Sequence, residues 1–239
     1  MKITFDSIIY SLQKSGGISV YWRMLEDSVP VARRLVYNNC AENIFYTKRG
    51  NELQSSANLS FERYKNVKLA EREPFVFHSS YYRYCKSKNA VNITTVHDFT
   101  YELFRTDLKS YLHKMQKKNA VMHSDGVICI SENTKKDLYK YYPNYTGKVK
   151  VIYHGYDDKT FYFARVKERT NNVLFVGSRV GYKAFDFTVR LLSEIPSVNL
   201  KIIGGGDLSE SEKKLLSMKA DYKNIKININ KLLYKDQKQ

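Results

Sequence analysis

The stretch from Asn171 to Asp186, NNVLFVGSRVGYKAFD, limits what the chain can fold into more than any other. Val173 to Val176 is a short, almost wholly apolar run, which predicts a strand buried on both faces of a parallel sheet. Gly177 and Ser178 end it with turn chemistry, and Gly181 adds a second pliable point before a helical pattern begins. Arg179 lies between the two glycines and Lys183 just beyond them. A strand opening into such a loop at a helix start is suited to phosphate. Backbone N–H groups and the helix dipole face the anion, and the two cations neutralise it. The residues fit equally an ordinary strand–loop–helix connection with solvated basic side chains, because the loop matches no strict P-loop or dinucleotide fingerprint.

Two further units of this kind follow, giving β-α-β-α-β. A helix over Ala184–Glu194 ends before Pro196, and Leu200–Ile203 is a strand that turns through Gly204-Gly205-Gly206-Asp207 into a helix over Leu208–Ala220. Ile225–Ile229 is a last strand before the polar run Tyr234–Gln239. Right-handed crossovers would place these three strands in one parallel sheet, half of a doubly wound domain.

Upstream, Met1–Phe5 reads as a first strand, and Ile18–Ser28 as a helix whose start carries Gly16 and Gly17. Those amides could meet a phosphate closely because no Cβ intervenes, although a pair of glycines also makes a plain turn. Asn43–Tyr46 and Val67–Leu69 read as weak strands around an exposed polar loop, Arg49–Ser60. Phe75–His78, Val91–Val96 and Gly126–Ile130 are buried-strand candidates ending in His78-Ser79-Ser80, His97-Asp98 and Ser131-Glu132-Asn133. In open α/β sheets, residues past the strand C-termini line the ligand crevice.

Leu103–Ser124 reads as one helix with an apolar stripe of Leu108, Tyr111, Leu112, Met115 and Met122. Its other side carries Arg105, Lys109, His113, Lys114, Lys117 and Lys118. Either the stripe packs inward under a solvated basic face, or the helix docks on anionic lipid. Ser131 caps a helix running to Tyr141, and Lys148–Tyr153 is a strand ending at His154-Gly155. A soft domain boundary falls in Asp158–Thr170, giving units 1–160 and 161–239.

A formal net charge of +16 favours anionic partners: nucleic acid, an anionic membrane face or phosphorylated small molecules. Twenty tyrosines suit stacking on bases, but the chain carries no nucleic-acid recognition motif, so nucleic acid is the weakest of these. Cys40, Cys85 and Cys129 show neither zinc-site nor disulfide spacing and read as reduced thiols. No apolar run reaches the roughly 20 residues of a membrane span, and Asp6 interrupts the N-terminal apolar run, so the expected location is cytoplasmic.

Gly16-Gly17-Ile18, TTVHDFTYE at 94–102, SDGVICISENTKKDL at 124–138, VIYHGYD at 151–157, LFVGSRVGYKAFD at 174–186 and LKIIGGGD at 200–207 stand in one register. In that order the chain resembles the retaining glycosyltransferases of the GT-B fold, family 4 (group 1), along nearly its whole length. The resemblance implies an N-terminal Rossmann-like domain on the acceptor side and a second, nucleotide-sugar-binding one. It implies that His97 sits beside the transferred sugar and Asp98 orients the site. Gly16, Gly17, Arg179 and Lys183 would hold the donor diphosphate, and Gly177 with Gly204, Gly205 and Gly206 would line the nucleotide edge. His154 replaces a more usual asparagine and carries no implied role beyond shaping a cleft. Such enzymes need no metal. They move a hexose, with GDP-mannose one candidate donor, to a glycan or lipid-linked acceptor in surface polysaccharide or lipopolysaccharide assembly at the inner membrane face.

One departure stands out. The family's E-x7-E donor motif is absent: the last glutamate is Glu212, and no two glutamates have that spacing. LLYKDQKQ at 232–239 resembles the start of a helix cut short. Half a doubly wound sheet is marginal by itself. The expectation is a fragment, a truncated product or half of a split enzyme that binds donor weakly and transfers little; a non-catalytic binding module is the alternative.

Overall fold

The first part of the chain forms seven parallel strands, several of them apolar runs that end in polar residues. The computed structural model describes residues 1–55, 59–158, 161, 162, 171–195 and 198–217. The chain divides between Asp157 and Asp158 into two compact units. In the first, β1 (Lys2–Asp6) leads through α1 (Ile9–Leu12) and α2 (Gly17–Ser28) to β2 (Arg33–Tyr37), β3 (Glu52–Ser55) and α3 (Leu59–Glu62). Next come β4 (Phe75–Ser79), β5 (Ala90–Val96), α4 (Thr100–Phe104) and α5 (Leu108–Met122). The unit closes with β6 (Gly126–Cys129), α6 (Glu132–Tyr141) and β7 (Lys148–Val151).

Strand order is β3-β2-β1-β4-β5-β6-β7, every neighbour parallel. Side chains alternate across the pleat, so β1 sends Phe5 toward α2, where it meets Trp22 and Val36. On the other face Val96, Val127 and Cys129 pack with Val121 of α5, Leu138 of α6 and Tyr142 just after it. Ser131 accepts from the Thr134 backbone N–H and so caps α6, as its position just before the helix predicts.

The order reverses between β1 and β4, where a doubly wound sheet usually opens its ligand crevice. Here that point is tied shut. Ser80 gives both its N–H and its hydroxyl to the Asp6 carbonyl, at 2.9 and 2.7 Å. The Ser80 Oγ in turn accepts from the Ile9 N–H at 3.0 Å. Polar chemistry is displaced one strand over, to the ends of β4 and β5.

Three expectations need correction. The strand next to β1 is Arg33–Tyr37 rather than Asn43–Tyr46, where the chain makes turns, and Val67 forms only an isolated bridge to Cys85. Two adjacent arginines hide β2 from a reading of hydropathy. Arg34 is nonetheless buried, because Glu26 and Glu52 lie 3.1 and 3.2 Å from its guanidinium. Part of the expected polar loop is strand β3, a sheet edge paired on one side only, where polar residues are at home.

The helix over Leu103–Ser124 is in fact two, broken before Asp107, whose carboxylate accepts from the Ser110 N–H at 3.0 Å. Its apolar stripe does not face inward. Leu108 is 75% exposed, and Tyr111, Leu112, Met115 and Met122 are exposed with it. α5 buries Ser110, Lys117, Ala120 and Val121 instead. The Lys117 ammonium is satisfied inside by Glu102 at 2.8 Å and the Asp98 carbonyl at 2.9 Å.

In the second unit, β8 (Asn172–Val176) pairs in parallel with β9 (Asn199–Ile203). α7 (Phe185–Ser193) packs Phe185, Val189 and Leu192 on Phe175, Leu200 and Ile202, and α8 (Glu210–Ser217) follows. β8 is buried on one face only, since Leu174 and Val176 are exposed. The expected strand Ile225–Ile229, the end of the Leu208–Ala220 helix, Pro196 and the run Tyr234–Gln239 lie outside the described residues, as does most of the connection after Asp158.

Candidate functional site

In the first unit, the C-terminal ends of β4, β5 and β7 and the first turns of α2 bring together Tyr21, His78, Thr95, His97 and His154. Alternation along β5 turns Thr95 toward the α2 face, where its hydroxyl lies 2.9 Å from His78 Nε2 and 3.3 Å from the Tyr21 hydroxyl. The Tyr21 ring stacks on His154 at 4.9 Å and meets His97 edge-on at 5.2 Å. The two imidazoles are 5.3 Å apart. Trp22 packs its ring against His78 at 4.7 Å and closes the floor.

A cavity of about 410 Å³ opens beside these rings, lined by Gly17, Tyr21, Met24, Ile152, His154 and Gly155 among others. A Cβ on Gly17 would meet open space, whereas one on Gly16 would strike the Gln13 side chain at 2.7 Å. The two glycines therefore differ: Gly16 lies against the end of the Gln13 side chain, and Gly17 borders free volume. No side chain caps α2. The cavity runs along α2 from Gly17 to Ser28, and a helix N-terminus without a side-chain cap suits an anion. Asp98 turns its carboxylate back to accept from the Thr100 N–H at 2.9 Å, starting α4, and so acts locally on the loop that follows His97.

Burial lowers both central histidines. His78 falls to about 3, chiefly by desolvation with the neighbouring His97 adding to it. His97 falls to about 4, by desolvation first and the nearby His154 second, against an opposing pull from Asp98. Both rings are neutral in the folded chain, while the unfolded chain takes up protons from about pH 6.5. Their contribution is complete above that value and is lost as pH falls toward 4 and 3. Unfolding free energies from urea titrations should therefore drop on acidification, by roughly 1–1.5 kcal/mol per ring between about pH 7.5 and 5.5. A His78→Asn, His97→Asn double variant should lose most of that dependence; an unchanged slope would remove the cause.

In the second unit, the loop after β8 meets the glycine loop after β9. Gly204, Gly205 and Gly206 have φ of 94°, 81° and 73°, the left-handed region that favours glycine. Their carbonyls and that of Asp207 converge on Arg179, at 2.7, 3.3, 3.1 and 2.7 Å. Glu212 completes the set, 2.8 Å from the Arg179 Nε. The expectation that Arg179 presents itself to a diphosphate meets an arginine only 7% exposed, with all its guanidinium nitrogens engaged inside the unit. A Cβ on Gly205 would lie 2.7 Å from Arg179 Nη1, so the glycine is demanded by this contact. Lys183 is freer: its ammonium makes one long contact, 3.4 Å to the Val176 carbonyl, and lies over Gly177.

His97, Asp98, Gly16 and Gly17 belong to the first unit; Gly177, Arg179, Lys183 and Gly204–Gly206 belong to the second. The sequence pointed to His78 at a strand end and to His154 as shaping a cleft, and gave Tyr21 no functional role. Nothing local marks Tyr21, because its contacts come from strands far along the chain.

Residues 44–160 match the model of Glycosyltransferase Family 4. No curated protein matches the chain in sequence. Among solved structures, Anabaena HepE in complex with UDP-glucose superposes with a TM-score of 0.54 at 12% identity, covering 95% of this chain and 68% of that one. HepE in complex with UDP and glucose gives 0.53 at 14% identity over the same shares. TarM gives 0.51 at 15% identity, covering 66% of this chain and 33% of that one. The chain thus spans about a third of the TarM chain it matches.

Proposed function

We propose, from the premise that this chain is a glycosyltransferase of family 4 with the GT-B architecture, that it moves a hexose from a nucleoside-diphosphate sugar to a glycan or lipid-linked acceptor, keeping the anomeric configuration. The observation that carries the reading is the Tyr21–His97–His154 cluster beside the open volume over Gly17. A neutral imidazole at the end of β5 can accept a hydrogen bond from a sugar hydroxyl without bringing a competing charge. The α2 amides at Gly17 would meet the charge that develops on the departing diphosphate, in place of a divalent cation. Arg179 would act one step back, by holding the glycine loop in shape.

The exposed stripe Leu108, Tyr111, Leu112 and Met115, with Lys109 beside it, supports the further reading that α5 rests on an anionic membrane face on the cytoplasmic side. Among the described residues no helix is long and apolar enough to cross a membrane.

The test is transfer by the purified chain from UDP-glucose, GDP-mannose and related donors to soluble glycans and lipid-linked acceptors. His97→Ala should lower kcat about 100-fold with the donor KM little changed, the scale of a transition-state contact. Donor binding with no transfer would favour the non-catalytic module, and neither binding nor transfer would defeat both readings.

A further inference from the structure

A second cavity of the first unit has no part in the site above. About 370 Å³ in volume, it is lined by Arg63, Tyr64, Tyr81, Tyr101, Arg105, Lys109 and His113. Three residues bring cations, and among the described residues none of the three is in an ion pair; the nearby Glu62 and Glu102 are taken by Arg83 and Lys117. Aromatic faces fix the cations in place. The Arg63 guanidinium lies 5.2 and 5.1 Å from the Tyr64 and Tyr81 ring centres and gives a 2.7 Å hydrogen bond to the Tyr81 hydroxyl. The Arg105 guanidinium is 5.2 Å over the Tyr101 ring, and His113 meets that ring at 4.0 Å. Two buried nitrogens, Arg63 Nε and His113 Nδ1, have no hydrogen-bond partner.

We propose that this pocket binds a phosphoryl group. Three cations without counter-charge exceed what a single carboxylate needs and suit a dianion, while the tyrosine walls reduce the water that would screen it. Arg63, whose Nε finds no acceptor in the chain, is a guanidinium short of acceptor oxygens. Basic residues of α4–α5 that the sequence offers as a flat membrane face thus line a concave site, beside the exposed apolar stripe. That the phosphoryl group belongs to the sugar acceptor rests on the transferase reading; its capture does not.

The experiment measures binding by the full chain, without any transfer step. Glycerol 3-phosphate is titrated calorimetrically, and sedimentation compares phosphatidylglycerol with phosphatidylcholine vesicles. Arg105→Gln and Lys109→Gln, both exposed at the rim, should each weaken binding at least tenfold, and Arg63→Gln at least as much. Lys118→Gln, the same charge change outside the pocket, should stay within twofold. Affinity for glycerol 3-phosphate identifies a free phosphate ester as sufficient; binding confined to phosphatidylglycerol, with the same pattern among variants, identifies a lipid headgroup. Loss on Lys118→Gln equal to that on Lys109→Gln, glucuronate binding as tightly as glycerol 3-phosphate, or no binding in either arm would overturn the proposal.

Discussion

Asp6→Ala should destabilise the first unit by about 3–5 kcal/mol, the scale of a buried charge left without its partner. Asp6 ends β1 and is fully buried, with Arg83 Nε 3.3 Å from its carboxylate and the Ser79 hydroxyl donating at 2.6 Å. Arg83 is equally buried and donates to the Tyr37 hydroxyl at 2.9 Å, with Glu62 at 3.4 Å. Removing Asp6 strands the guanidinium among β1, β2 and β4. The loss measures an orphaned charge and not the net worth of the pair, because both ions give up hydration to be there. The double variant Asp6→Leu, Arg83→Met should therefore recover a good part of it. Urea unfolding of the wild type, the single and the double variant checks this. A single variant within about 1 kcal/mol of wild type would show that the pair is not closed from solvent.

Arg179→Ala should cost the second unit about 2–3 kcal/mol, because it leaves four carbonyls without a donor and the Glu212 carboxylate with only Ser209 to donate to it. Three glycines at positive φ hold their carbonyls toward one guanidinium, and without it that arrangement has no reason to persist. Arg179→Lys decides between two roles. A lysine supplies charge but not the planar fork, so it should restore little stability here, although it would largely suffice as a phosphate counter-charge. Lys183→Ala should show the opposite pattern: nucleoside-diphosphate binding weaker by roughly 1.5–3 kcal/mol with stability nearly unchanged. Hydrogen exchange of the β8 and β9 amides reads the stability, and calorimetry reads the affinity. Full rescue by Arg179→Lys, with β8 and β9 protection unaltered by Arg179→Ala, would refute the internal role.

Much of this was legible in the residues themselves. Apolar runs with polar ends predicted β1, β4, β5, β6, β7, β8 and β9 to within a residue or two. Ser131 announced α6, and six motifs in register carried the resemblance to the family. What escaped is explained by neighbours distant in sequence. β2 begins with two arginines, and only Glu26 on α2 and Glu52 on β3 allow Arg34 to be buried. α5 turns its leucines outward because Lys117, which local pattern assigns to solvent, finds Glu102 and the Asp98 carbonyl inside.

The sequence by itself determined the strand-and-helix alternation, the glycine positions and the strand-end histidines, since these follow from local propensity and from backbone angles that few residues tolerate. Tertiary structure alone decided which charges are buried and which donors are spoken for: that Arg179 belongs to its own glycine loop, that Tyr21 joins two histidines, and that Arg63, Arg105 and Lys109 share a cavity. The physical reason is that a side chain's charge and hydrogen-bonding capacity are written in the sequence, whereas the partner that satisfies them is chosen by the packing of elements far apart along the chain.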